Sequence, residues 1–176
     1  ADLQSNVTQA TDASLGGLIT LSGAATLAAT STTTSTARNA NVSVGLLTIA
    51  ALKVNATLAG STTAGVADNG VLSASALTAT SIGTATSTAQ TNFVGVSFGS
   101  GNGSTTSSLL SQTVDARIGK GAVVTLGSGT ATLTATGTAT STASTSGVTV
   151  AGVEVSVMNI SASTAGCVSA WAAEGA

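Results

Sequence analysis

The 176-residue chain has no histidine, no proline and no tyrosine, a single cysteine, and only Phe93, Phe98 and Trp171 as aromatic residues. Each absence removes a class of chemistry. Without imidazole there is no Ser-His-Asp triad, no His-based acid–base pair and no His-containing metal site. The lone Cys167 closes no internal disulfide, which leaves intermolecular pairing or a buried free thiol, with the buried thiol favoured. Charge is also scarce: four basic and six acidic residues give a formal net charge of −2. No basic patch exists for nucleic acid. The long uncharged runs, such as Asn69 to Val114, are filled with Ser, Thr and Gly, so no membrane insertion is expected. The six carboxylates, Asp2, Asp12, Asp68, Asp115, Glu154 and Glu174, are scattered along the chain. We therefore expect no enzyme, no catalytic or metal site and no cofactor. Asp12 with Asp115, and Asp68 with Glu174, recur at a turn motif; they read as solvated turn residues in preference to weak cation sites.

What remains is small and β-prone. Positive mean hydropathy, the lack of proline and abundant β-branched residues favour paired strands over a solvated coil. The stretch TATLTATGTATSTAS, residues 130–144, alternates threonine with small residues, a period of two that no helix shares. Threonines take one face. Ala131, Leu133, Ala135, Gly137, Ala139, Ser141 and Ala143 take the other. In the following SGVTVAGVEVSVMNIS, Val148 and Val150 are in phase but Val153, Val155 and Val157 are shifted by one, which predicts a bulge or corner at Ala151 and Gly152.

The chain repeats itself. ITLSGAATLAATSTTTSTA from Ile19, VLSASALTATSIGTATSTA from Val71 and VTLGSGTATLTATGTATSTA from Val124 align, ending at Ala37, Ala89 and Ala143 with steps of 52 and 54. A turn motif recurs independently at DASLGG, TAGVADNGV, DARIGKGAV and SAWAAEGA. Its alanines Ala13, Ala64, Ala116 and Ala170 lie 51, 52 and 54 residues apart. Strand-forming repeats that cannot bury a core alone must stack. The expected fold is an all-β, parallel β-helix-like solenoid of three repeats, 19–70, 71–123 and 124–176, with 1–18 ending a preceding repeat unit. One wide flattened coil per repeat, or two to three smaller ones, would both satisfy the period. The alanine face suits two thinly packed sheets, and the threonine face suits a wet surface.

The succession VDARIGKGAVV, TLTATGTATSTAS, GVTVAGVEVSV and a further Ala-rich turn resembles the strand repeats of giant bacterial surface proteins, the filamentous-hemagglutinin-like and leukotoxin-type filamentous adhesins. Their repeats run as a turn with Ala-x-Ile-Gly-x-Gly-Ala, a Val-x-Ala-Thr-Ser-Thr strand and a Gly-Val-rich strand. The resemblance spans nearly the whole chain. It implies an extracellular or cell-surface stalk, structural or adhesive. This chain is far shorter than such proteins and reads as a segment or as a subunit completed by assembly. Its opening, ADLQSNVTQ, has no signal-peptide pattern and reads as a processed terminus or an excised segment.

Two functional expectations follow. One is a structural or adhesive filament whose partner is itself, end to end, or a surface glycan. The other is ice binding by a regular array of Thr32, Thr34, Thr36, Thr84, Thr86, Thr88, Thr132, Thr134, Thr136, Thr138, Thr140 and Thr142, similar to insect antifreeze surfaces, with Ile82 and Gly83 interrupting the middle row. Cys167 and Trp171 are candidate intermolecular contacts. Trp171 occupies the turn position of Ser14, Gly65 and Arg117, which read as exposed, so its indole either meets a neighbour or caps the last coil. Sequons stand at Asn6, Asn41, Asn55, Asn102 and Asn159, little more than a Ser/Thr-laden chain carries by chance.

Overall fold

A computed structural model of the chain describes residues 1–174. Every regular element among them is a strand. They are β1 (Asp2–Leu15), β2 (Leu18–Thr20), β3 (Ala25–Val66), β4 (Val71–Ala74), β5 (Leu77–Ile118), β6 (Val123–Leu126) and β7 (Ala131–Ala172). All pairings are parallel, in a long sheet ordered β1-β3-β5-β7 and a short one ordered β2-β4-β6. The fold is the β-solenoid that the repeats predict, with one wide coil per repeat. The turn alanines pair in register, Ala13 with Ala64, Ala64 with Ala116 and Ala116 with Ala170. Gly175 and Ala176, which end the fourth turn motif, lie outside the described residues.

The 42 residues of β3 would stretch about 140 Å if straight, at roughly 3.3 Å per residue. Instead the strand doubles back, because the Ser31 and Thr62 hydroxyls meet at 2.6 Å. The reversal centres on Leu46, Phe98 and Gly152, which drop out of an otherwise continuous register. Each long strand therefore has an outgoing arm (25–45, 77–97, 131–151) and a returning arm (47–66, 99–118, 153–172); β1 is a returning arm. Before the corner odd-numbered side chains point inward in these three strands, and after it even-numbered ones do, as Leu27 and Ala29 against Val54 and Leu58 show. That phase change is the slip read from the valines, and its centre includes Gly152.

Why the arms can approach so closely is plain from what lies between them. The outgoing arm of β3 sends in Ala25, Leu27, Ala29, Ser31, Thr33, Ser35 and Ala37, mostly residues with little side-chain volume. Leucines gather where β4 closes the coil: Leu27, Leu72 and Leu77 pack with Ala64, Val66 and Ile118. Further along, the core thins to Ala37, Val54, Ala56 and Ala89. Hydroxyls bridge the thin part. Ser35 donates to the Ser5 carbonyl at 3.0 Å, Ser87 to that of Ala56 at 3.2 Å, Ser108 to that of Ser87 at 3.0 Å and Ser141 to that of Ser108 at 3.0 Å. These carbonyls have a second lone pair free for the serine while one serves the ladder. Thr106 likewise touches Thr91 at 2.8 Å and Thr145 at 2.7 Å, so one returning arm lies between two successive outgoing arms.

That interleaving explains the ends. The β7 returning arm has an outgoing arm on one side only, and Ile160 is 48% exposed where its register partner Thr106 is fully buried. On the other end β1 covers only residues 53–66 of β3. Both ends carry unpaired strand edges.

Turns stack as well. Asn69 and Gly121, one coil apart, share a left-handed backbone (φ 57° and 67°), a conformation that glycine and asparagine adopt most readily. The Lys120 N–H donates to Asp68 at 2.9 Å, tying one turn to the next. Gly65 corrects an expectation: it is buried, not exposed, because its φ of 151° and the Arg117 carbonyl of the next coil leave no room for a Cβ. Gly65→Ala is expected to cost about 3 kcal/mol and to lower the melting temperature by roughly 10 °C, followed by circular dichroism. Gly45→Ala, whose Cβ meets nothing closer than 3.4 Å, should leave it nearly unchanged.

Candidate functional site

With small side chains drawn inward, the alternate residues of each outgoing arm must face out. On β3 these are Thr26, Ala28, Thr30, Thr32, Thr34 and Thr36; on β5, Thr78, Thr80, Ile82, Thr84, Thr86 and Thr88; on β7, the even-numbered residues from Thr132 to Thr142. The register sets Thr32 beside Thr84 and Thr138, Thr34 beside Thr86 and Thr140, and Thr36 beside Thr88 and Thr142. The result is a grid of six columns on three strands, threonine everywhere except Ala28 and Ile82. Strand geometry spaces it at about 4.8 Å across the strands and about 7 Å along them. All twelve threonines named from the sequence lie on this face. Thr26, Thr30, Thr78 and Thr80 extend it and were missed, although the same alternation runs through ATLAATSTTT and LTATSIG. Ile82 occupies a grid position, whereas Gly83 faces inward against Gln112 and Val114 and does not break the surface.

This face carries hydroxyls and methyls and, within the grid, no charge. It can present a regular lattice of weak donors and acceptors, but no nucleophile–base pair or ligand cage. Among the described residues no cluster of three or more Cys, Asp or Glu could hold a metal. Asp12 pairs in register with Thr63, which pairs with Asp115, so the two carboxylates are separated by a whole coil.

The last coil places the two remaining candidates. Cys167 is exposed, which corrects the expected buried thiol: it sits at an outward position beside Thr113 of the preceding coil. Trp171 pairs with Arg117 in register, and its indole Nε1 donates to Asp115 at 2.7 Å. Ser169 donates to the same oxygen at 2.8 Å, and Arg117 lies 3.8 Å from the other carboxylate oxygen. The indole thus caps the turn within its own chain while remaining 39% exposed. Of the sequons, Asn6 and Asn159 are exposed and Asn41, Asn55 and Asn102 are half-buried.

Trp171 is the only tryptophan and there is no tyrosine, so intrinsic fluorescence reports on this cap alone. Asp115→Ala removes the indole acceptor, and emission should move to longer wavelength with the β-sheet circular dichroism retained; an unchanged spectrum would show the contact to be absent in solution.

Comparison with protein-family models, with curated proteins and with solved structures finds no match, and the geometry of the threonine face and the open strand edges is the ground for a functional reading.

Proposed function

We propose that this chain is a structural, adhesive β-solenoid, a segment of an extracellular stalk or filament, with no catalytic role. The observation that carries the reading is the uncapped sheet. β7 offers an unpaired edge along its whole length, and in 131–172 the only charged residue is Glu154, where edge strands that avoid pairing usually carry several charges, prolines or bulges. The half-exposed inner side chains of its returning arm would be covered by a further outgoing arm. Parallel addition of coils therefore lengthens the rod without changing its cross-section. The likeness of the repeats to those of filamentous surface adhesins points the same way.

Further coils of the same chain, or the end of a second copy, would cover this edge. Immunogold microscopy of the producing cells should label surface fibres, and fibre diffraction of the aligned protein should give an axial reflection near 4.8 Å. Labelling confined to the cytoplasm would overturn the assignment.

A second reading has its own support in the threonine grid, whose two spacings repeat over three strands. Ordered water held by hydroxyls and methyls at such intervals is how an ice-binding surface works. At millimolar concentration the protein should then show thermal hysteresis. Thr86→Tyr, at the middle of the grid, should abolish most of it, and wild-type protein with none removes this reading.

A further inference from the structure

The corner of the coil is built inside out. Its inward positions hold Thr48, Ser97 and Ser100, whose buried hydroxyls have no hydrogen-bond partner. Its outward positions hold aliphatic columns: Val42, Val94 and Val148, and beside them Val44, Val96 and Val150. Leu46 and Phe98 stand at the turning point, with Phe98 78% exposed. The middle coil decides what this means. Val96 has a neighbouring strand on either side and is still 47% exposed, so this surface is not an effect of the open ends.

The two valine columns with Leu46 and Phe98 form one contiguous apolar face, on the order of several hundred Å², at the upper end of the largest patch on a monomer. That is of the same order as the roughly 800 Å² per partner that a stable complex buries. Glu154, on the returning side, is the only charge near the corner, so two such faces meet without repulsion. Each face is also a ruler with a step of about 4.8 Å, so two copies match row for row in a two-fold arrangement.

We propose that this corner is a lateral interface between two copies of the chain, related by a two-fold axis, with Phe98 of each copy packed on the valine columns of the other. Side-by-side pairing is distinct from elongation: it stands whether or not coils add at β7. Along a longer rod the same columns would tie neighbouring stalks into bundles.

The test is sedimentation velocity on the full chain in a Cys167→Ser background, which removes disulfide dimers. A reversible dimer in the micromolar range is expected. Val96→Glu and Phe98→Ser, both outward and without core contacts to lose, should each weaken it at least about tenfold, a change of about 1.4 kcal/mol or more. Circular dichroism would confirm that both variants retain the β fold. Val168→Lys, on the β7 returning arm, should leave the dimer intact. A wild-type monomer throughout this range, or a dimer lost with Val168→Lys and kept with Val96→Glu, overturns the lateral interface. So does a monomer that floats with phosphatidylcholine vesicles and ceases to do so with Val96→Glu, because the corner would then be a lipid contact.

Discussion

Two arms of one strand lie face to face, the outgoing arm sending in mostly alanine, serine and threonine against returning-arm residues such as Val54, Leu58 and Leu110, and the rest of the molecule depends on that thin seam. Dispersion between such small groups is modest, and the area each removes from water is slight. Serine compensates by donating to a carbonyl on the opposite arm, so that Ser35, Ser87, Ser108 and Ser141 hold the arms together through the backbone itself. A buried hydroxyl satisfied in this way contributes about 1 kcal/mol net, whereas one left without a partner costs about as much or more. The seam works because a returning arm inside the stack is offset along the axis and meets two outgoing arms, as Thr106 meets Thr91 and Thr145.

The seam also dictates the surface. A strand that turns its small residues inward has to turn the alternate ones out, and here those are threonines on the outgoing arms. Their regularity is a consequence of the parallel register, which repeats every position one strand further along the axis. The face and the core are therefore two views of one pattern: Thr84 faces out because Gly83 and Ala85 face in. At the corner the pattern loses its interior partner. There the phase shifts by one residue, Thr48, Ser97 and Ser100 turn inward, and the valines that composition alone would assign to a core stand on the outer face.

A stack of this kind has no natural end. The inner strands have hydrogen-bonded neighbours on two sides, and the outermost strands on one only. The inner side chains of the last returning arm show the deficit most directly, since Ile160 and Val168 stand half uncovered at positions where the preceding coil is sealed. Trp171 is a local remedy, laid over the turn and held by Asp115.

Period and phase are legible in the sequence itself. The alternation of threonine with small residues set strand and facing, two landmarks 51 to 54 residues apart set the coil length, and the valine slip marked the corner. These follow from local rules, because side-chain direction in a strand depends only on parity. Cys167 and Gly65 were misjudged for a different reason. Whether Cys167 is covered depends on whether anything lies over its face of the outer arm, and whether Gly65 is buried depends on the carbonyl of Arg117 one coil away, and no local spacing records either. The same holds for the choice of one wide coil over several small ones, for the offset that lets one returning arm serve two outgoing arms, and for the exposure of Val96. Each is a relation between residues far apart in sequence, so only the closing of the coil decided it.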